Sequence, residues 1–431
     1  MSSKEVLDYY SRKDVQKAIC HSSKEREAVA RFGEAFGKRP DVIQMPGDVF
    51  DLAKKGATSF HISEERWKDP LSLQTGLSKK QLDELRHGWD LIIDIDTKLW
   101  DFSKYTAYLI YEALKFNNVK NISVKFSGNK GWHLGIPFEA FPDEVHGMET
   151  KKLFPDSLKV IAAFIKEKIG PELSKQMLLK SNIEDIAQNA GIDKQRLIKN
   201  GKFDPFGAIE IDTILISSRH LFRAPYSLHE KSGLVSLPIN PKEILSFDKE
   251  MANPKNIKAD KIFLERESVN KNEGKELIIQ AFDWHFEKQK KNNQNEPAKT
   301  NTERTFENVT DLIKADSFPP CMVNILKGNM ADGKKRALFV LINFLKQMNW
   351  PYELIEKTVK EWNNKNQEPL RENYVMAQLL SAKRQGKMMP PNCSNESYFI
   401  ETGLCTPNSF CHKIKNPANY SLLKHKISKR L

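Results

Sequence analysis

The sequence has no Cys-x-x-Cys pair, no long hydrophobic run and no internal repeat. Its five cysteines are one isolated residue, Cys20, and four that lie beyond residue 320. So few cysteines, so unevenly placed, fit a metal site better than a disulfide framework in a reducing compartment. The longest apolar stretches, such as Ala337 to Ile342, are far too short to cross a bilayer, and the opening MSSKEVLDYYSRKD has no apolar signal core. No membrane partner is expected, and the protein is expected to be cytoplasmic.

What is present is enough to build cores: 39% hydrophobic and 10% aromatic residues, with 29% charged residues for a wet surface. At 431 residues the chain exceeds what one core usually organises, so at least two domains are expected. The formal net charge is +12, spread in Lys-rich clusters from end to end. That excess suits a polyanion such as nucleic acid, and it is equally what a lysine-solvated surface gives. The clearest boundary is Glu287 to Arg304, EKQKKNNQNEPAKTNTER, polar and free of aliphatic core residues, which reads as a linker. Before it, in residues 1–286, strand-like runs alternate with helical patterns, the mark of a mixed α/β domain. After it, in residues 305–431, the pattern is mainly helical, with two helices broken near Trp350-Pro351.

Side chains on a strand alternate between faces, so in LIIDIDTKLW Asp94 and Asp96 share one face while Ile93 and Ile95 take the other. Carboxylates roughly 6.5 Å apart repel by roughly 2.5 kcal/mol at an effective dielectric of 20, and a bound cation removes that cost. A strand that is merely ending produces the same pair, with its aspartates in solvent or capping a turn. The next segment, DFSKYTAYLIYEALKFNN, reads as a helix capped by Asp101 or Ser103. In a third alternating run, AIEIDTILI, Glu210 and Asp212 share a face and would meet the first pair if the strands are neighbours. Two-metal phosphoryl transfer needs about three such carboxylates, because Mg²⁺ or Mn²⁺ takes oxygen ligands and two ions must flank the phosphate. Asp94, Asp96 and Asp212 are the candidates, and Glu210 competes for the third place.

The turn Ser127, Gly128, Asn129, Lys130, Gly131 separates two alternating runs and supplies what a triphosphate requires: close backbone N–H groups, a hydroxyl and a lysine charge. A glycine hairpin with a lysine at its tip is also ordinary. His133 lies two residues beyond, and SSRHLFRAPYSLHEKSGL adds Arg219, Arg223, His229 and Lys231. Farther along, Cys321, Cys393, Cys405 and Cys411 are separated by 71, 11 and 5 residues. Structural zinc usually sits on a short Cys knuckle, whereas an iron-sulfur cluster accepts thiolates gathered by tertiary structure. Spacing alone leaves unligated buried cysteines as an equal alternative.

LIIDIDTK, VKFSGNKGWHLGIPF and IDTILISSRHLFRAPYSLHEKSGL, in that order and with ATSFHISEERWKDP upstream, closely resemble the catalytic small subunit of archaeal and eukaryotic DNA primases. The resemblance implies an α/β primase-type fold, Asp94, Asp96 and Asp212 as ligands of two Mg²⁺ or Mn²⁺ ions, and Ser127, Lys130 and His133 as phosphate contacts. It also implies a second triphosphate-binding pair, Arg223 and His229. Asn129 stands where the family often has a basic residue, and the cysteines that commonly bind zinc in this subunit are absent, so no zinc is expected in the first domain. FPPCMVNIL, PPNC and GLCTPNSFCHKIKNPANY resemble the iron-sulfur C-terminal domain of the primase large subunit, which implies a 4Fe-4S cluster on Cys321, Cys393, Cys405 and Cys411. GKKRALFVLINFLKQ also resembles the helical accessory domain of viral and plasmid primases, pointing to Lys334, Lys335 and Arg336 as contacts for template or initiating nucleotide. Together these imply a single-chain archaeal-type primase, active as a monomer on single-stranded DNA with NTPs or dNTPs, nucleoid-associated and working beside replication proteins. The competing expectations are a primase-polymerase or end-joining repair polymerase, and a non-catalytic iron-sulfur DNA-binding module.

Overall fold

Branched aliphatic and aromatic residues dominate the segments that pair in the computed structural model, which describes residues 2–74, 76–211, 217–294, 312–330, 332–384 and 386–428. The main strands are β1 (Ala28–Phe32), β2 (Ala35–Phe36), β3 (Ser59–Ser63), β4 (Leu91–Asp96), β5 (Ser123–Phe126), β6 (Trp132–Ile136), β7 (Glu210–Ile211), β8 (Leu221–Arg223) and β9 (Pro238–Ile239). A four-stranded sheet has the order β8-β3-β1-β2 and a five-stranded sheet the order β7-β4-β6-β5-β9. Every pairing in both is antiparallel. The hairpin read around the glycine turn is β5–β6, with Phe126 opposite Trp132 and Lys125 opposite His133.

Alternation gives the five-stranded sheet two different faces. Ile93, Ile95, Phe126 and Trp132 point to one and are fully buried there. Helix α1 (Trp100–Phe116) covers that face, and the Trp132 indole N–H donates to the Ser103 hydroxyl at 3.1 Å. Helix α2 (Asp156–Lys180) packs on α1, and α3 (Lys275–Gln294) packs on α2. Asp94, Asp96 and His133 point to the other face.

The start of α1 departs from the expected cap. Leu99 precedes the helix with no side-chain cap, so Asp101 and Ser103 lie inside the first turn. The Thr97 hydroxyl instead accepts from the Leu99 N–H at 3.1 Å, and the Ser103 hydroxyl is committed to the Trp100 carbonyl and to Trp132. A second difference concerns the expected linker: α3 continues through its first residues to Gln294. Glu, Lys and Gln are good helix formers, so a segment without aliphatic residues still prolongs a helix already nucleated by packing upstream.

Two units divide the chain, Met1–Ala298 and Lys299–Leu431. The second is helical: α4 (Pro320–Lys327), α5 (Lys334–Gln347), α6 (Tyr352–Asn364), α7 (Glu372–Arg384), α8 (Glu396–Phe399) and α9 (Pro417–Ser428). Pro351 sits at the N-cap of α6, which accounts for the break after α5. Leu338, Leu341, Phe344 and Leu345 of α5 bury against a core that includes Ile355, Val359 and Trp362 of α6. Among the described residues no helix is long and apolar enough to cross a membrane.

In the first unit, a buried ion network fixes the base of β4. Asp90 is fully buried and accepts from Arg26, from Arg266 at 2.7 Å and 3.0 Å, and from the Phe138 backbone N–H at 2.9 Å. Arg266 also reaches Glu139 at 2.6 Å, and Arg66 joins Glu139 to Glu25. Burial alone would raise the Asp90 carboxyl, but Arg266 and Arg26 hold it far below the usual carboxylate range. Replacing Asp90 by Asn strands Arg26, which is buried as deeply, without a countercharge. Asp90→Asn is expected to cost about 3–5 kcal/mol of folding stability, measured by urea denaturation; a loss below about 1 kcal/mol would mean that Glu139 alone neutralises the arginines.

Candidate active site

Cross-strand register builds the site one residue from each strand. Asp94 of β4 lies opposite His133 of β6, which lies opposite Lys125 of β5. One step toward the end of β4, Asp96 lies opposite Glu210 of β7. Directly opposed residues in an antiparallel pair share a face, so Asp94, Asp96, Glu210, His133 and Lys125 all project from the same side. The order runs from exposed carboxylates, Asp96 and Glu210, through half-buried Asp94 to buried His133 and Lys125. Asp212 lies outside the described residues. Among the described residues no three His, Cys, Asp or Glu side chains form a group that would hold a metal ion.

His133 places Nε2 at 3.4 Å from the Asp94 carboxylate, while its Nδ1 is buried with no hydrogen-bond partner. Burial first, then Lys125 and Arg223, pushes the imidazole well below its ordinary pKa. Lys125 is a buried lysine that the motifs did not single out. Its ammonium nitrogen donates to the Ser236 hydroxyl at 2.7 Å and lies 5.6 Å from the ring centroids of both Phe222 and Phe263. Burial lowers its pKa well below normal, and Asp94 opposes that shift.

The glycine turn closes on itself and against β4. Ser127 donates its N–H to the Gly131 carbonyl at 3.0 Å, and its hydroxyl accepts from the Gly131 N–H at 3.1 Å. A side chain at Gly131 would run into the Ile95 carbonyl, between the two aspartates. One at Gly128, where φ is +103°, would meet the His229 Cβ at 2.8 Å. Asn129 and Lys130 are half-buried at the tip. The Ser232 hydroxyl donates to the Gly128 carbonyl, tying the turn to the 229–234 loop.

Arg223 and His229 stand on the other wall. His229 Nδ1 accepts from the Lys231 and Ser232 backbone N–H groups at 3.3 and 3.4 Å, leaving Nε2 to carry the proton. Burial brings its pKa down to about 4. Arg223 donates to the Leu228 carbonyl at 2.6 Å and to Glu230 at 2.8 Å. Glu230 also accepts from Ser59, lies 3.8 Å from His61 and 3.7 Å from Arg31. Burial would raise its carboxyl, but His61, Arg223 and Ser59 hold it far below normal. Sequence reasoning missed Ser59, His61 and Glu230. His61 and Arg223 are cross-strand partners on β3 and β8, and that pairing, 162 positions apart in the sequence, left no local signal. Arg219 serves another purpose: with Arg39 it holds the buried Glu27, at 2.7 Å and 2.9 Å.

The four late cysteines are free thiols, each half-buried. Burial first, then Cys393, Cys405 and Cys411, raises the Cys321 thiol to about 12. Cys393 is raised to about 11 by burial, then by Cys411 and Cys405. The four therefore gather within electrostatic reach of one another across residues 321–411. Lys334, Lys335 and Arg336 form the first turn of α5 behind Gly333; Lys335 lies 5.3 Å from the Tyr374 ring, and Arg336 is 3.4 Å from Glu401.

His61 is buried and its pKa falls to about 4, burial being the main cause. As pH drops below the unfolded value near 6.5, the unfolded chain binds a proton that the folded chain refuses, so stability present at neutral pH is lost toward pH 4. This group is expected to account for on the order of 2 kcal/mol of the stability lost between pH 7 and pH 5. Denaturation midpoints at both pH values should lie closer together in His61→Gln; an unchanged gap would place the acid sensitivity elsewhere.

Comparison with known proteins adds relatives that match parts of the chain. The small-subunit PriS of the DNA primase from Pyrobaculum aerophilum is 27% identical over 184 residues, 37% of this chain and 55% of that protein. The PriS of Pyrobaculum calidifontis is 26% identical over 190 residues, 39% of this chain and 57% of its own length. The chain thus spans little more than half the length of these relatives. An uncharacterised protein of Methanocaldococcus jannaschii is 43% identical over 58 residues, 13% of each chain. Among solved structures, the polymerase domain of Mycobacterium tuberculosis Ligase D in complex with DNA aligns with a TM-score of 0.36 and 16% identity, covering 56% of this chain and 82% of that one. Residues 90–241, which hold β4, the glycine turn, Arg223 and His229, match the family model of the DNA primase small subunit.

Proposed function

We propose that this chain is a DNA primase that starts strands on single-stranded DNA by template-directed nucleotidyl transfer, in the service of replication. The observation that carries the reading is the pair Asp94 and Asp96, on one face of β4 beside the glycine turn, within the segment matched by the primase small-subunit family. Asp94, Asp96 and Asp212, with Glu210 adjacent to Asp96, are an all-oxygen donor set of the kind that Mg²⁺ or Mn²⁺ takes. Two such ions, when bound, lower the pKa of a 3′-hydroxyl and offset charge on the reacting phosphate. The protein's own share is positioning. Backbone N–H groups of the turn, Ser127 and Lys130 receive the phosphate tail, His133 braces Asp94, and Arg223 and His229 close the opposite wall.

In the second unit, Cys321, Cys393, Cys405 and Cys411 are assigned to a 4Fe-4S cluster, for which the described side chains would have to draw closer together. Burial first, then the neighbouring thiols, raises the pKa of Cys321 and Cys393, a cost that coordination as thiolates removes. The cluster would supply a covalent clasp across distant segments. Lys334, Lys335 and Arg336 are assigned to phosphate contacts with template or initiating nucleotide. The first domain is assigned no zinc, and of the linker expected at Glu287 to Arg304 the part beyond residue 294 lies outside the described residues.

The test is synthesis on primer-free single-stranded DNA with an initiating nucleotide labelled on its γ-phosphate. Product that keeps the label at its 5′ end supports the reading; extension of an annealed primer with no labelled product points to a primer-dependent repair polymerase, and failure of both to a DNA-binding module. Asp96→Asn is expected to lower synthesis at least about 1,000-fold, as removal of a principal transition-state stabiliser does, with binding to single-stranded DNA little changed. Anaerobically purified protein is expected to absorb near 400 nm with about four irons per chain. Cys393→Ser should lose that absorbance and the iron, and a zinc-loaded, colourless wild type would defeat the cluster assignment.

A further inference from the structure

Phe36 is 47% exposed, and both residues of its strand, β2, stand at the surface. It sits on a fixed support nonetheless. The two-residue turn Gly33-Glu34, with Gly33 at φ +57°, joins β1 to β2, and the Gly37 N–H closes the hairpin by donating to the Ala30 carbonyl at 2.9 Å. Register places Phe36 opposite Arg31 and Arg31 opposite Ser59, while His61, two residues along β3 from Ser59, lies opposite Arg223. Residues directly opposed or two apart share a face, so Phe36, Arg31, Ser59, His61 and Arg223 belong to one surface of the four-stranded sheet.

The contacts of the ring lead along that surface to the wall assigned to phosphates. The Phe36 and His61 rings stand at 85° with centroids 5.0 Å apart, and the Arg31 guanidinium lies 5.7 Å from the Phe36 centroid. His61 and Arg31 both reach Glu230, at 3.8 and 3.7 Å, and Glu230 holds Arg223 at 2.8 Å. Arg31 also pairs with Glu34 at 3.2 Å, and its Nε donates to the Gly33 carbonyl at 3.0 Å. A lone exposed phenylalanine is ordinary on a protein surface. This one differs in being oriented by an imidazole and a guanidinium, and in standing in a continuous row with Arg223. A rigid aromatic ring partly open to solvent, next to cationic groups, is what unpaired bases stack on.

We propose that Phe36 is a stacking platform for a base of the single-stranded DNA template, beside the wall assigned to the nucleotide's phosphates. The inference rests on the primase reading above and adds a residue from a segment that precedes the matched family region, which begins at residue 90. A template strand and an incoming nucleotide both carry bases. The strand is favoured because β2 is the outer edge of its sheet, where a long polymer can approach from solvent, and exposed Lys38 follows two residues on to meet its backbone. Arg223 and His229, assigned to the nucleotide, are half-buried farther from that edge.

The experiment is equilibrium binding to the full chain of three probes: a single-stranded oligothymidylate, a strand of equal length made of abasic sites, and Mg·ATP. Phe36→Ala is expected to weaken oligothymidylate binding roughly 10-fold, the worth of one base stacked on an aromatic ring, with abasic-strand and Mg·ATP binding unchanged. Phe36→Trp should keep or tighten oligothymidylate binding, whereas Phe36→Leu, apolar but without a flat face, should lose nearly as much as Phe36→Ala. Unchanged oligothymidylate binding in a Phe36→Ala protein of wild-type melting temperature overturns the platform. Equal weakening of the abasic strand overturns it too, as does a loss confined to Mg·ATP. Failure of the platform is distinguishable from failure of the function itself: the primase reading falls if synthesis survives Asp96→Asn, whatever Phe36 does.

Discussion

Burial of Ile93 and Ile95 behind the carboxylate row is the constraint around which the first unit is organised. Asp94, Asp96 and Glu210 are set side by side by the antiparallel pairing of β4 with β7, and nothing about folding rewards that placement. The sheet imposes it because the opposite face of β4 is committed: Ile93 and Ile95 are buried under α1, so a slip of one residue would send the aspartates into the core. Register is therefore held by apolar burial on one side, and the acidic row on the other is its consequence.

The surroundings grade the electrostatics across three strands. Carboxylates stand at the exposed edge, with a buried imidazole and then a buried ammonium behind them. His133 and Lys125 are both pushed toward their neutral forms by burial, which limits how much positive charge the interior carries before anything binds. Across the site, Glu230 anchors Arg223 through a knot with Ser59, His61 and Arg31. A guanidinium so held is fixed in orientation, the structural basis of preorganisation.

The buried pairs farther from the site serve a different end. Asp90 with Arg26 and Arg266, and Glu27 with Arg39 and Arg219, join segments distant in sequence around the roots of the strands. Desolvation makes such pairs poor sources of net stability, yet once formed they penalise any alternative packing that would leave one member unpaired. They fix where β4 begins, and with it where the aspartates end up.

Much of this was legible in the sequence. Alternation in LIIDID and around SGNKG is enough to place Asp94 with Asp96 and to form a hairpin at the glycine turn, because a strand has period two and a tight turn needs residues that accept positive φ. The mainly helical second unit and its break at Pro351 follow equally from local pattern and proline geometry. Local pattern misled at the start of α1, where Asp101 and Ser103 looked like caps but Ser103 was claimed by Trp132, and at Glu287 to Gln294, where polarity was read as linker and helix propensity prevailed. What only the tertiary structure decided is which distant residues meet: Glu210 with Asp96, Lys125 beside His133, Glu230 with His61, Phe36 against His61, and four cysteines drawn from 90 residues of chain. Those encounters depend on strand order and on the path of loops between strands, which a one-dimensional pattern does not encode.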